Sequence, residues 1–137
     1  MRSRRILATS GGFLGAESGR ENAMRPGRLF LEALRLSGAE RPRVLFVMTA
    51  SGDDTGYLAG SHQACRDLSI ETDHLVVFPY PNQLPEEALG RADVVWVGGG
   101  SVANLLALWR VHGIDDAMRD AWERGVVLGG VARSTAL

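Results

Sequence analysis

The amino-acid sequence predicts an α/β fold in which a mostly parallel sheet lies between two layers of helices. Short apolar runs alternate with helical patterns along the chain, and glycine or small polar residues follow most of these runs. The run at 43–49 is apolar on both faces, as in strands that helices cover on each side. Strands that alternate with helices are joined by crossovers and run parallel. We therefore expect a three-layer αβα architecture.

The first half of the chain contains three predicted strands and two predicted helices. The patterns place strands at 5–9, 43–49 and 74–78 and helices at 26–37 and about 55–68. Pro26 suits the first turn of the first helix, and Gly38 suits its C-terminal cap. The segment at 13–22 is rich in glycine and polar residues, which predicts a loop.

Two more strands and two more helices are predicted in the second half. The strands cover 93–97 and 126–130, and Ser101 is predicted to cap a helix that ends at Gly113. A further helix is predicted at 115–124, with its first residue as the cap. In the helix after Ser101, four residues share one predicted face: Val102, Leu105, Leu106 and Trp109.

The composition excludes several classes of function. The 137 residues include 16 acidic and 15 basic side chains, and this net charge of −1 offers no basic face for a nucleic acid. All 15 basic residues are arginines, which excludes lysine Schiff bases and the phosphate loop that ends in Gly-Lys-Ser/Thr. No run approaches the ~18 apolar residues of a membrane span. We expect a single domain over residues 1–137 with neither a nucleic-acid nor a membrane partner.

The single cysteine, Cys65, indicates a reducing compartment. It cannot form an internal disulfide, and no cluster of cysteine and histidine at metal-ligand spacing accompanies it. The N-terminal apolar run is too short for the core of a signal peptide. We expect a cytoplasmic protein with no metal and no cofactor, in which Cys65 is a structural thiol.

Ligands of parallel sheets bind at the carboxyl ends of the strands. The ends rich in glycine or small polar residues are Ser10–Gly12, Ala50–Asp54, Gly98–Ser101 and Val131–Ser134. Backbone N–H groups in such turns can approach a ligand closely and bind an anion. Gly98, Gly100 and Ala103 also fit the spacing of a dinucleotide fingerprint, but that motif belongs after the first strand. The glycines are equally compatible with a tight turn that lets the next helix pack on the sheet.

The titratable residues give weaker signals. His112 ends a predicted helix, where the dipole favours a surface imidazolium over a catalytic base. His62 and His74 have no partner in the sequence and are predicted at the surface and at a strand edge. Asp53 and Asp54 resemble a pair of catalytic carboxylates, although an aspartate in such a loop is more often a helix cap.

Five segments occur in an order that resembles a known family. They are Thr49–Asp53, Val97–Gly100, Asn104–Arg110, Gly113–Asp115 and Ala121–Leu128. The chain resembles the serine peptidases of family S51, which include dipeptidase E (aspartyl dipeptidase) and cyanophycinase relatives. The resemblance implies a flavodoxin-like fold similar to the class I glutamine amidotransferase domain, and a small peptide as substrate.

The resemblance also implies where a nucleophile would stand. In the family, Gly, a variable residue and then Ser-Ala-Gly follow the strand, and the serine is the nucleophile. This places Ala132 at the nucleophile position. Ser134, the catalytic candidate in this chain, lies two residues further on, ~6–7 Å away in an extended segment.

Further site residues follow from the same resemblance. It implies an oxyanion hole at Gly99 and Gly100 and substrate contacts at Ser51, Asp53 and Ser101. The histidine and acidic partners of the family lie further downstream than Leu137.

Two hypotheses for the function remain open. The first is a serine-type hydrolase of the dipeptidase E kind, with a glycine oxyanion hole. The second is a non-catalytic scaffold, or a binding or assembly module, that arose by truncation or frame-shift. We expect this chain to be inactive and its C-terminal part to be missing. We also expect an exposed apolar face, which a helix would otherwise cover, and hence possible homodimers.

Overall fold

The structure is a computed structural model that describes residues 3–9, 11–14 and 24–131. Five parallel strands form one sheet in the order β1-β7-β6-β4-β5, and two short strands, β2 and β3, form a separate antiparallel pair. The strands are β1 (Ile6–Thr9), β2 (Phe13–Leu14), β3 (Arg25–Pro26), β4 (Arg43–Val47), β5 (Glu71–Leu75), β6 (Val94–Val97) and β7 (Val127–Val131).

The helices connect consecutive strands of the sheet. A 3₁₀ turn at Thr49–Ser51 follows β4 and precedes the second helix. The helices are α1 (Arg28–Leu36), α2 (Thr55–Arg66), α3 (Pro85–Gly90), α4 (Val102–His112) and α5 (Ile114–Glu123).

Side chains of the inner strands alternate between two hydrophobic clusters. On β4, Val44 and Phe46 point to the cluster that contains α1 and α2, whereas Leu45 and Val47 point to the cluster that contains α3 and α5. All four are essentially inaccessible to solvent, as expected for a strand covered on both faces. The prediction of an α/β fold with three layers and a parallel sheet is therefore confirmed.

Two boundaries in the first half of the chain differ from the sequence prediction. Pro26 does not begin α1; it pairs with Phe13 in the β2/β3 pair, and Gly27 is the N-terminal cap. The predicted loop at 13–22 thus begins with a strand, because a partner distant in sequence pairs with it. The third strand of the sheet begins at Glu71 instead of His74, since an edge strand tolerates polar residues that weaken its apolar pattern.

Two further corrections concern helices. The proline-rich segment after β5 contains α3, which begins at Pro85, because proline is favoured at the first helical position. Gly113, in a left-handed conformation, both ends α4 and caps α5. Asp115 therefore lies in the first turn of α5, where its charge complements the dipole, and is not the cap.

Helix α4 buries less of its predicted apolar face than expected. Leu105 is buried, but Val102 and Leu106 are 44% and 41% exposed. The helix contacts the 3₁₀ turn and α5, and the Trp109 indole N–H donates to Thr49 Oγ1 over 3.0 Å. Leu105 and the partly buried Leu108 and Trp109 attach the helix to the core, while Val102 and Leu106 of the predicted face do not.

An apolar surface remains exposed over β1 and β7. Ile6 is 67% exposed, Ala8 is exposed, and Leu128 and Gly130 beside them are half-buried. These residues line an open groove of about 210 Å³ on the face of the sheet that carries α3 and α5. The expected exposed apolar face is confirmed within the described residues, and dimerisation through it stays a prediction.

We expect Ile6→Glu to reduce self-association of the purified chain several-fold, because a carboxylate on this surface opposes burial against a second copy. Sedimentation velocity at high micromolar concentration measures the dimer fraction. Leu68→Glu is the matched control, since Leu68 is 54% exposed but lies in the turn after α2. A wild-type chain that stays monomeric, or equal effects of both variants, would contradict the prediction.

Candidate active site

A cleft lies where four strands of the parallel sheet end. Its volume is about 310 Å³. The residues that line it are Gly11, Gly12, Phe13, Ser51, Asp54, Tyr57, Gly99 and Val131. They come from the segments that follow β1, β4 and β6 and from the last residue of β7, so all four predicted strand ends contribute.

The turn after β6 lies beside this cleft. The flanking N–H groups are occupied, because Gly98 donates to Val47 O over 3.0 Å and Ser101 donates to Ala50 O over 2.8 Å. Within residues 24–131, the Gly99 N–H donates to no backbone acceptor, whereas Gly100 forms an isolated β-bridge. Gly99 lines the cleft directly.

Gly100 is required by close packing. Its φ is +148°, and a Cβ at this position would stand 2.2 Å from the carbonyl oxygen of Ala50. The contact fixes the β6–α4 turn against the 3₁₀ turn that follows β4. Two of the strand ends that form the cleft are therefore held at a defined separation.

Of the three predicted substrate contacts, only Ser51 lines the cleft. Its hydroxyl donates to Met48 O over 3.0 Å within the 3₁₀ turn. The Ser101 hydroxyl accepts from the Asn104 N–H over 3.2 Å as the cap of α4, which confirms the predicted cap.

Asp53 is buried and connects two strand ends. It is 6% exposed, and its Oδ2 accepts from the N–H groups of Val77 and Phe78 over 2.7 and 3.0 Å. Its Oδ1 is buried without a hydrogen-bond partner among the described residues. The carboxylate thus joins the loop after β4 to the chain after β5, and Asp53 does not line the cleft.

Asp54 and Tyr57 line the cleft and were not among the predicted site residues. Asp54 caps α2, since its Oδ1 accepts from the Tyr57 N–H over 2.9 Å; of its two predicted roles, a catalytic carboxylate or a helix cap, the cap is confirmed. The Tyr57 ring lies beside Gly98, and burial raises the pKa of its hydroxyl. Their position in the first turn of a helix after a strand end is the sequence signal that indicates such residues.

The predicted catalytic position lies outside the described residues. Ser134, the candidate nucleophile, and Ala132, at the family's nucleophile position, both follow the last described residue. Ser10, from the predicted strand end after β1, also lies outside the described residues. Val131 is bonded to Ala132 and lines the cleft.

His74 lies on the edge strand β5, as predicted, whereas His62 is half-buried instead of at the surface. His62 and His74 are partners, with 3.0 Å between His62 Nε2 and His74 Nδ1, and His62 Nδ1 lies 2.6 Å from Thr72 Oγ1. The two histidines are twelve residues apart, and no local pattern predicts their contact because α2 and β5 meet only in the folded chain. The half-buried His112 ends α4, as predicted.

Cys65 is a structural thiol, as the sequence predicts. It is completely buried in the cluster with α1 and α2, and burial raises the pKa of its thiol to about 12. A thiol with such a pKa carries almost no thiolate at neutral pH and is a poor nucleophile.

Fold and cleft together define an α/β protein whose candidate site lies at the carboxyl ends of parallel strands. The sequence identifies the family within this class. Residues 6–133 match Peptidase family S51, and the chain belongs to that family.

Individual relatives agree with this membership. The uncharacterized peptidase YgaJ of Bacillus subtilis (strain 168) is 38% identical over 112 residues, which cover 80% of this chain and 49% of that protein. The chain therefore spans about half the length of this curated relative.

Two crystal structures share the fold. A protein assigned as peptidase E from Listeria monocytogenes EGD-e superposes with a TM-score of 0.54 at 22% identity, covering 66% of this chain and 46% of that one. A peptidase from an acI-B1 Actinobacterium superposes with a TM-score of 0.60 at 17% identity, covering 74% and 46%. At these identities the superpositions show the fold, which is that of the family.

We predict that Asp53→Ala lowers the free energy of unfolding by about 2–4 kcal/mol, because two hydrogen bonds to a charged acceptor are lost. Asp53→Asn should cost clearly less, since an amide oxygen can still accept and asparagine tolerates the left-handed φ of 55° found here. Urea denaturation measures both values. Equal losses in the two variants would show that the hydrogen bonds to residues 77 and 78 do not stabilise the fold.

The histidine pair predicts a loss of stability in acid. Burial and the neighbouring His74 lower the pKa of His62 below its ordinary 6.5; Arg66 lowers it too, while Asp73 raises it. The folded chain therefore binds fewer protons than the unfolded chain, and its stability falls as the pH drops through about 6.5. Denaturation of the wild type and His62→Gln at several pH values tests this. The variant should lose less stability between neutral and mildly acidic pH, and identical slopes would contradict the prediction.

Proposed function

We propose that the cleft binds a short peptide and forms the oxyanion-stabilising part of a serine peptidase site of the dipeptidase E kind. The observation that carries this proposal is the Gly99 N–H, which has no backbone acceptor within residues 24–131 and belongs to a residue that lines the cleft. Donors fixed in this way stabilise the oxyanion that develops when a nucleophile attacks a peptide carbonyl.

The size of the cleft supports a small substrate. A volume of about 310 Å³ lies at the lower end of the range for small-molecule sites and accommodates about a dipeptide. Its wall of glycines, Phe13 and Tyr57 leaves backbone groups and aromatic surfaces to contact that substrate.

We propose that this chain by itself does not hydrolyse peptides. The residue at the family's nucleophile position is Ala132, whose methyl group cannot attack a carbonyl. Ser134 is displaced by two residues from that position. The family fold would thus retain peptide binding without turnover in this chain.

A non-catalytic assembly module is the second candidate. The exposed apolar groove at Ile6 and Leu128 favours it, because such a surface is typical of a site for another polypeptide. We propose that a second copy of this chain covers this surface in a homodimer.

We propose that the protein functions in a reducing compartment such as the cytoplasm. The only cysteine is fully buried and has no disulfide partner. Within the described ranges, no helix is long and apolar enough to cross a membrane.

The test combines turnover with binding on the purified chain. A fluorogenic aspartyl dipeptide measures hydrolysis, and calorimetry measures binding of the unmodified dipeptide. We expect binding in the wild type and in Ser134→Ala, with no turnover in either. Turnover that Ser134→Ala abolishes would overturn the inactive assignment, and an absence of binding would overturn the cleft assignment.

A further inference from the structure

We propose that Asp54 is a specificity-determining residue that pairs with the ammonium group at the amino terminus of a bound peptide. The inference rests on the proposed function, since it concerns the same cleft. It adds the direction in which the peptide lies, with its amino terminus at α2 and its first carbonyl at the Gly99–Gly100 turn.

The charge of the cleft supports this assignment. Asp54 is the single charged side chain among the described residues that line the cleft. The remaining lining residues are glycines, Phe13, Ser51, Tyr57 and Val131, which carry no charge at neutral pH. A cationic group on a ligand therefore has one counterion among these lining residues, and an anionic group would meet like charge there.

The Asp54 carboxylate is oriented before any ligand binds. Its Oδ1 accepts from the Tyr57 N–H over 2.9 Å, which fixes the side chain at the start of α2. A carboxylate has two acceptor oxygens, so the bond at Oδ1 leaves Oδ2 to accept from an ammonium group. A fixed acceptor requires less loss of side-chain entropy on binding than a mobile one.

Asp54 also lies where the cleft meets a second groove. A second groove, of about 660 Å³, runs along α2 and shares Asp54 and Tyr57 with the cleft. It is lined further by Met24, Gly56, Ala59, Gly60 and Gln63. An ammonium group at Asp54 leaves this groove open for the first side chain, while the carbonyl turns toward Gly99.

The helix dipole weakens the pairing without reversing it. The N-terminus of α2 carries roughly half a positive charge, which opposes a cation, whereas the carboxylate carries a full negative charge. Asp54 is exposed, so solvent screens the pair. We therefore expect a change in affinity of about two- to five-fold, as for other exposed ion pairs.

The experiment compares Ala-Leu-amide with N-acetyl-Ala-Leu-amide, which differ in the charge of the amino terminus. Calorimetry on the full chain at low salt should show that the free-amine peptide binds about two- to five-fold more tightly. Asp54→Asn should abolish this difference, because asparagine keeps the cap of α2 but removes the charge. Asp67→Asn, at the opposite end of α2, is the control and should leave the difference unchanged.

N-acetyl-Lys-Leu-amide distinguishes the terminal ammonium group from a side-chain cation. We expect it to bind no better than N-acetyl-Ala-Leu-amide, and tighter binding that Asp54→Asn removes would overturn the assignment to the amino terminus. Equal binding of the free and acetylated alanyl peptides would overturn this inference but leave the proposed peptide site intact. Binding of none of the peptides would overturn both. Thermal unfolding of Asp54→Asn checks that α2 remains folded.

Discussion

The packing of Trp96 against glycine is the constraint on which the arrangement of sheet and cleft depends. The indole is completely buried at the middle strand, β6, and a Cβ at Gly129 on the adjacent β7 would stand 2.7 Å from it. A Cβ at Gly12, after β1, would stand 2.1 Å from the same ring. The other side of the indole meets Phe30 of α1, with 5.1 Å between ring centroids. The large side chain of Trp96 therefore requires that the two neighbouring positions, Gly12 and Gly129, carry no side chain.

This packing also shapes the cleft. Gly12 lines the cleft and packs against the Trp96 indole. Its carbonyl accepts from the Gly27 N–H over 2.8 Å at the start of α1. Next to the lining residue Gly99, Gly100 packs against the backbone of Ala50. These glycine contacts hold the backbone segments around the cleft, and side chains such as Ser51, Asp54 and Tyr57 complete its wall.

The residues after β4 divide between structure and ligand. Asp53 is turned inward and accepts two backbone N–H groups from the chain after β5, whereas Asp54 caps α2 and faces the cleft. The resemblance to the family assigned Asp53 to the substrate, and its buried hydrogen bonds indicate instead that it supports the loop from which Asp54 extends. Adjacent residues of one type take different roles because a left-handed turn at Asp53 directs their side chains apart.

The fold class, the five strands of the parallel sheet and the strand ends that form the cleft could be predicted from the sequence, whereas α3 and the β2/β3 pair could not. The prediction succeeded where it rested on periodicity, on caps such as Ser101 and on glycine turns, because these features depend on residues that are close together in the sequence. Contacts between distant side chains became visible only in the folded chain: the His62–His74 pair, the pairing of Pro26 with Phe13, and the place of Tyr57 in the cleft. These contacts join segments from different elements, and their geometry follows from how helices pack on the sheet, which no local pattern encodes.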